Sequence, residues 1–417
     1  MQTELVIDDT RALTRAAPDA EKATPDYAWL QNLKTPCYVF DPEVAIERYR
    51  ALKARLGTRL IVSLKANPNQ DMLVRCGHAY EDGIELASRG ELDLVVGRIK
   101  APKYLNNPAM NEDFIRAGLA SRCNFVLDNP DLVARFIALA QDAIAAGATP
   151  GNVLLRLNAG ALAGDAARTH WHDHFGMTPA EAFDATARLA AAGLRVSGLH
   201  VFSGSHTFTR GGAATADTVA LPPRAAALAH ELAAPNGAPL ASLSLGGGFS
   251  EMGDSPAAFA QYRDSLAPLA ADFSLAHESG RAIFADAGLF VTRVMAVKHW
   301  PDRSVAICDG GISHNFLLAQ TELPLRRLQA PLLVRDGRLV GDENTEESAG
   351  ETGAATRDTV FAGSTCSRAD VIGRRHASAP PRPGDLAIFS RCGAYNRTYT
   401  MEGFLSHQAA HVYVKPA

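Results

Sequence analysis

Short apolar runs with strand-like composition recur between residues 59 and 279, and each ends at or directly before a polar or glycine residue. Such runs, bounded by turn residues and rich in β-branched side chains, are typical of buried strands. We therefore predict eight strands: RLIVSLK (59–65), DGIELA (82–87), RIKAP (98–102), NFVLD (124–128), NVLLRLN (152–158), RVSGLHVF (195–202), SLSLGG (242–247) and SLAHES (274–279).

The segments between these runs have apolar residues at spacings of three and four, the pattern of amphipathic helices. Clear examples are PDLVARFIALAQDAIAAG (130–147) and PAEAFDATARLAAAG (179–193). Eight alternating strand and helix units predict a (β/α)8 barrel over residues 37–284, with functional side chains at the carboxyl ends of its strands. A doubly wound parallel sheet is the alternative.

From about residue 285 the helical spacing largely disappears, and strand-like runs separated by turns follow, such as SVAICD (304–309) and GDLAIFS (384–390). We therefore expect an all-β C-terminal domain over residues 285–417. The N-terminal segment 1–36 is expected to be partly mobile and partly packed on this β domain. The polar stretch 343–358 is predicted to be a mobile loop.

Composition favours a small-molecule partner. The net charge is −4 and no long run of one sign occurs, so nothing indicates binding to nucleic acid or to an anionic membrane. No apolar stretch is long enough to span a bilayer, and the charged N-terminus does not resemble a signal peptide, so we expect a cytoplasmic protein. The six cysteines form no C-x-x-C pair, which disfavours a zinc ribbon or a disulfide framework.

The candidate chemistry lies at the carboxyl ends of the predicted strands. Lys65 ends an apolar strand, where an ammonium group is costly to bury without a partner or a chemical role. One such role is a covalent bond between its amine and a carbonyl carbon. The triplet 246–248 follows the seventh strand, and Gly280 with Arg281 follows the eighth, where barrels commonly bind phosphate. The sequence therefore predicts a phosphorylated ligand.

Eight strings, taken in order, resemble the motifs of one enzyme family: SLKANPN, IELASRGEL, LHVFSGSH, SLGGGFSE, HESGRAIFADAG, DGG, GSTCSRAD and GAY. Across roughly residues 36–415 the chain resembles the fold type III decarboxylases that depend on pyridoxal 5'-phosphate (PLP), which include diaminopimelate, ornithine and arginine decarboxylases. The resemblance implies an alanine-racemase-like barrel, a C-terminal β domain and a head-to-tail homodimer whose active sites are shared between subunits.

The resemblance also implies roles for single residues. Lys65 would bind the cofactor covalently, and Glu278 would keep its pyridine nitrogen protonated. Alanine racemases of this fold have an arginine there, so Glu278 favours decarboxylation over racemisation. Cys366 would reach across to the other subunit and return a proton to the substrate Cα. The further cofactor-binding residues implied are Glu85, Arg156, His200, Phe202, Ser205, Gly246, Gly247, Gly248, Gly280, Arg281 and Tyr395.

Three departures from the family pattern bear on the substrate. Phe202 replaces the histidine that many members place over the cofactor ring. Ser367 and Arg368 follow Cys366, where amino-acid decarboxylases generally carry an acidic residue for the distal amino group. The arginine and tyrosine that diaminopimelate decarboxylases carry after the DGG motif are not evident in this chain. The substrate-binding residues expected from the motifs are Asp309, His314, Ser367, Arg368 and Asp370.

We therefore expect a substrate with an acidic or conjugated distal end, of the kind handled in siderophore or other secondary-metabolite pathways, with a carrier protein as a candidate partner. Diaminopimelate decarboxylase is one alternative function, and a racemase or an inactive regulatory relative is another. His170, His172 and His174 could suggest a metal site because alternate strand residues share a face. No carboxylate or cysteine cluster completes the set, so no metal is predicted.

Overall fold

The computed structural model describes residues 27–163, 173–204, 206–210, 213–250, 255–321, 326–340 and 357–416. Contacts divide the chain into two compact units: Ile46–Ile283 is one, and Met1–Ala45 together with Phe284–Ala417 is the other. None of the helices in the described ranges is both long and apolar enough to cross a bilayer. Nearly all of the predicted mobile loop over 343–358, and residues 1–26 of the N-terminal segment, lie outside the described residues.

Eight parallel strands close into a barrel within Ile46–Ile283. The barrel closes because the last strand pairs with the first, with Glu278 opposite Ile61. An open doubly wound sheet has two free edges, so this pairing excludes the alternative fold and confirms the predicted barrel. The strands in chain order are Arg59–Ser63, Ile84–Leu86, Lys103–Asn106, Asn124–Leu127, Val153–Leu157, Val196–Val201, Ser242–Ser244 and Ser274–Ser279.

Helices follow the strands, and most begin at a polar residue whose side chain caps the first turn. The side-chain oxygens of Ser88, Asn111 and Asn129 each accept the backbone N–H three residues on, which satisfies a donor that the helix itself cannot pair. The helices are Pro42–Leu56, Gln70–Cys76, Arg89–Val95, Glu112–Ala120, Pro130–Ala145, Ala159–Ala163, Pro179–Ala191, Ala216–Asn236, Pro256–Leu266 and Arg281–Phe284.

The strand predicted over 98–102 was wrong. The N–H groups of Arg98 and Ile99 both donate to the carbonyl of Val95, so these residues belong to a turn that follows the helix Arg89–Val95. Pro102 has no N–H to give to a strand ladder. The third barrel strand therefore begins at Lys103, directly after the predicted range ends.

The other unit contains a nine-stranded mixed sheet, which confirms the predicted β domain. The long strand Gly288–His299 lies near its centre and pairs antiparallel with Cys37–Phe40, which pairs in turn with His411–Val414. Cys37–Phe40 therefore belongs to this sheet, which corrects the predicted start of the barrel at residue 37. Periodicity cannot tell which sheet a fully buried strand joins. The remaining strands are Arg303–Cys308, Leu332–Arg335, Arg338–Leu339, Arg357–Ala362, Val371–Ala377 and Leu386–Phe389.

The strand Val371–Ala377 was missing from the prediction. Its sequence VIGRRHA places a glycine and three basic residues after two apolar ones, so it has no alternating apolar pattern. It forms because its backbone pairs with Arg357–Ala362 along the sheet, with Val360 opposite Arg374. Tertiary pairing decided this strand, and local composition did not.

Candidate active site

Lys65 lies in a single turn, Leu64–Ala66, directly after the first barrel strand. Its Nζ is 2.7 and 2.8 Å from the two carboxylate oxygens of Glu85, which lies on the neighbouring strand. The Glu85 side chain is 1% exposed, whereas that of Lys65 is 44% exposed. The ammonium of Lys65 therefore offsets the cost of burying the Glu85 carboxylate, and the amine stays accessible at the carboxyl end of the barrel.

Glu278 lies in the barrel interior near the end of the eighth strand. One carboxylate oxygen is 3.2 Å from His200 Nε2, and the other accepts a hydrogen bond from the Ser244 hydroxyl at 3.2 Å. Burial raises the pKa of Glu278, but the opposing effects of His200, Lys65 and Arg156 are larger and hold this pKa below its ordinary value of 4.5. Glu278 is therefore a buried carboxylate at neutral pH.

Arg156, at the end of the fifth strand, is held by side chains from the two preceding strands. Its Nη1 lies 3.4 Å from an Asp128 oxygen and 3.4 Å from the Asn106 side-chain oxygen. Its guanidinium carbon lies 4.2 Å from the ring centroid of Phe175, within cation–π range. The sequence analysis did not assign Asp128 or Asn106, although both stand at strand ends where barrels place functional side chains.

The glycine triplet has a backbone that a side chain would disturb. Gly246 and Gly248 have φ values of 61° and 97°, which L-residues rarely adopt. A Cβ on Gly246 would lie 2.7 Å from the Val201 carbonyl oxygen, and one on Gly247 would lie 2.5 Å from the Glu278 carbonyl oxygen. Only glycine permits this backbone to pass so close to both neighbouring strand ends.

Gly280 has the same restriction, since its Cβ would lie 2.5 Å from the Cβ of Ala66, next to Lys65. Arg281 follows as the first residue of a short helix. Phe202 directly follows the strand that carries His200. The barrel thus gathers most of the predicted cofactor-binding residues at the ends of its strands.

Ser205, His170 and His172 lie outside the described residues, and His174 is an exposed residue whose ring packs against Phe175.

The predicted residues of the C-terminal motif belong to the other compact unit, where they lie in a loop between two paired strands. Cys366 and Arg368 are exposed, while Asp370 is buried. One Asp370 oxygen accepts the N–H of Ile312 at 2.9 Å, and the other accepts the N–H and hydroxyl of Thr365 at 3.0 and 2.7 Å. The carboxylate expected to contact substrate therefore holds the loop in shape.

Asp309 is also occupied by structural hydrogen bonds. Its two oxygens accept the hydroxyls of Thr35 and Thr292, each at 2.6 Å, and the N–H of Arg293 at 2.8 Å. These three donors account for its carboxylate without a substrate. Tyr395 lies in the same unit, half-buried, with a φ of 68°.

His314, which is also predicted to contact substrate, makes two hydrogen bonds within the chain. Its Nε2 lies 3.1 Å from the Gln408 carbonyl oxygen, which can only accept, so Nε2 carries the proton. Its Nδ1 accepts the N–H of Gly311 at 3.4 Å. Burial lowers the pKa of His314. A neutral imidazole with both nitrogens occupied has no charge or free donor for a distal carboxylate.

Comparison with known proteins places this geometry in a family. The family model for the pyridoxal-binding domain of pyridoxal-dependent decarboxylases matches residues 44–292. Diaminopimelate decarboxylase of Deinococcus radiodurans is 27% identical over 385 residues, which cover 88% of this chain and 86% of that protein. The lysine/ornithine decarboxylase of Vibrio vulnificus, solved with putrescine, has a TM-score of 0.73 and 23% identity, covering 93% of this chain and 96% of the other. Arginine decarboxylase of Paramecium bursaria Chlorella virus has a TM-score of 0.74 and 16% identity, covering 92% and 96%.

The chain belongs to the pyridoxal-dependent decarboxylases, a family of carboxy-lyases whose cofactor is PLP. The residues present fit that cofactor. The accessible amine of Lys65 lies beside a buried carboxylate. The glycine triplet leaves its backbone without side chains at a strand end where barrels commonly bind phosphate. The buried Nδ1 of His200 has no hydrogen-bond partner among the described residues. Lys65 would bond the cofactor aldehyde, Glu278 would face the ring nitrogen, and the backbone of the glycine triplet would hold the phosphate.

We predict that Lys65→Ala removes covalent attachment of PLP, because the variant lacks the amine that would bond the aldehyde. Borohydride treatment of the wild type followed by mass measurement should show one cofactor fixed per chain, and the variant should show none. Lys103→Ala, which changes another partly buried barrel lysine, should retain the fixed cofactor. Full labelling of the Lys65 variant would contradict the assignment.

We predict that ionised Glu278 contributes free energy of unfolding above pH 4.5, and that this contribution declines as the pH falls below that value. The sign follows because the pKa is lower in the folded state than in the unfolded chain. Glu278→Gln cannot titrate, so its disadvantage relative to the wild type should shrink in acid. Urea unfolding across this pH range measures the difference. Glu47→Gln, a change at an exposed position, should show no such step.

Proposed function

We propose that the protein decarboxylates an α-amino acid whose distal end is acidic or conjugated. Lysine and ornithine, whose distal group is a free amine with no acidic group beside it, do not have this chemistry. Bound PLP supplies an electron sink for the pair released when the bond between Cα and the carboxylate breaks. The anionic state of Glu278 supports this chemistry, because a carboxylate facing the ring nitrogen favours its protonated form.

The barrel side chains have separable tasks in this proposal. The amine of Lys65 binds the cofactor aldehyde, and Glu85 keeps that amine in place through its 2.7 Å contact. Ser244 and His200 orient the Glu278 carboxylate from opposite oxygens. Cys366 supplies the proton that Cα takes up after carbon dioxide leaves. Cys366 is exposed on a loop that the buried Asp370 holds through hydrogen bonds, and this exposure suits an acid that acts on another subunit.

The Cys366 loop, defined as residues 363–370, carries the specificity argument. Its one acidic residue, Asp370, is buried and already accepts three hydrogen bonds. Ser367 accepts the N–H of Ala369 at 3.2 Å, so its hydroxyl is also engaged. Arg368 is exposed and makes no hydrogen bond or ion pair with the described residues. The loop thus presents a guanidinium, which favours a distal carboxylate and disfavours a lone distal ammonium.

Diaminopimelate decarboxylation is a second candidate, because a protein of that name is 27% identical over most of this chain. The distal end of diaminopimelate carries a carboxylate beside its amine, and Arg368 suits that carboxylate. A siderophore-type pathway, a carrier-protein partner and a cytoplasmic location stay predictions from the sequence alone.

We further propose a homodimer in which the Cys366 loop of one subunit completes the barrel site of the other. The support is the position of Lys65 and Cys366 in separate compact units, together with the family resemblance of the loop motif. An acid presented on an exposed loop needs a second surface to act on.

The shared site predicts complementation. Lys65→Ala and Cys366→Ala should each be inactive alone, but mixed subunits should regain activity because one site of each heterodimer combines an intact Lys65 with an intact Cys366. Random mixing should restore about a quarter of wild-type activity. Size-exclusion chromatography with light scattering reports the dimer independently. A mixture that stays inactive although heterodimers form would show that both residues serve the same subunit's site.

The loop predicts the substrate preference. We expect low kcat/KM for lysine and ornithine, weak activity on diaminopimelate, and higher values for Nε-succinyl-lysine. The reason is that the Cys366 loop offers no free carboxylate to pair with a distal ammonium. Ser367→Asp should raise kcat/KM for lysine by about a hundredfold, while Ser364→Asp, the same charge change at an exposed loop position, should not. Lysine or ornithine as the best wild-type substrate would overturn the preference and leave the decarboxylase assignment intact.

A further inference from the structure

A groove lies on one face of the β unit, next to strands that flank the Cys366 loop in the chain. Its floor is apolar and comes from three adjacent strands, where Val305 lies opposite Val360 and Ala362 lies opposite Val371. Ala362 and Val371 also flank the Cys366 loop in the chain. The volume of the groove is about 460 Å³, which is within the size range of small-molecule sites.

Of the residues that the structure describes, three arginines and a tryptophan line the groove, and no carboxylate does. Arg374 is exposed and makes no ion pair or side-chain hydrogen bond with the described residues. Arg303 stacks on Trp300, with 4.8 Å from its guanidinium carbon to the ring centroid, and its nearest carboxylate is the exposed Asp302 at 3.8 Å. Arg326 donates to the Ala369 carbonyl at 3.1 Å.

These contacts give the groove a definite ligand preference. Arg326 and Arg374 have no carboxylate partner among the described residues, so an organic anion that approaches them can form charge-assisted hydrogen bonds. The aliphatic floor and the indole of Trp300 favour an apolar body attached to the anionic group. The hydrogen bond from Arg326 to Ala369 joins the groove to the loop that carries Cys366.

We propose that the groove binds an organic anion with an apolar body, and that it holds the distal acidic end of the substrate. The use of the groove by substrate rests on the proposed function, whereas the binding of an organic anion does not. A dicarboxylic acyl group on a diamino acid has the required chemistry: a terminal carboxylate for the arginines, and methylene groups for the apolar floor.

Binding is tested without the reaction, using N-butylsuccinamate and its uncharged isostere N-butylbutanamide, neither of which carries an amino-acid head group. Calorimetric titration of the holoenzyme should give a Kd at least about tenfold lower for the succinamate. Succinamate should also change the tryptophan emission through Trp300. Arg374→Gln should weaken succinamate binding by about tenfold, and Arg338→Gln, an exposed arginine outside the groove, should not. Equal affinity for the two probes would overturn the anion site. An equal loss of succinamate affinity in Arg374→Gln and Arg338→Gln would overturn it as well.

The link to substrate is tested by kinetics. Arg374→Gln should raise KM for Nε-succinyl-lysine by about tenfold with kcat unchanged, and should leave KM for Nε-butyryl-lysine unaltered. Loss of probe binding with unchanged KM would keep the anion site and overturn its use by substrate. If the holoenzyme decarboxylates none of these compounds, the proposed function fails, and the probe titration still decides whether the groove is an anion site.

Discussion

The burial of two carboxylates constrains the whole barrel site. Glu85 and Glu278 are both nearly inaccessible to solvent, and a carboxylate there is tolerated only with charge and hydrogen-bond compensation. Lys65 compensates Glu85 directly, and His200, Ser244 and the more distant cations compensate Glu278. The same contacts that make burial tolerable also leave an amine and an anion at fixed positions in the barrel mouth, which is what a pyridoxal cofactor requires.

The backbone around these charges has little freedom. The glycines after the seventh and eighth strands approach neighbouring backbone and side-chain atoms so closely that a Cβ would collide with them. Polar helix caps at the same ends of the barrel satisfy backbone donors locally. The strand ends therefore carry chemistry and local stability together, so substitutions there affect both.

The β unit contributes charge in a different way. Its Cys366 loop is shaped from inside by Asp370, so the acidic residue is hidden and Cys366 and Arg368 face outward. The adjoining groove adds further guanidinium groups around an apolar floor. Both features disfavour a substrate whose distal group is only a cation, and both favour a distal anion. The proposed specificity of the loop and the proposed ligand of the groove therefore agree.

The sequence by itself indicated the barrel, because seven of the eight predicted apolar runs lie on barrel strands and alternate with amphipathic segments, but it left an open doubly wound sheet as an alternative. It also singled out Lys65, since an ammonium group at the end of an apolar strand is costly to bury without a role, and the family resemblance singled out Glu278. Only the tertiary structure decided that Cys37–Phe40 joins the β sheet and that Asp128 and Asn106 hold Arg156. It likewise decided that Asp370 and His314 are already fully hydrogen-bonded. Hydrogen-bond partners distant in the chain leave no periodic signal, so a polar residue that serves the fold and one that meets a ligand look alike until the chain is folded.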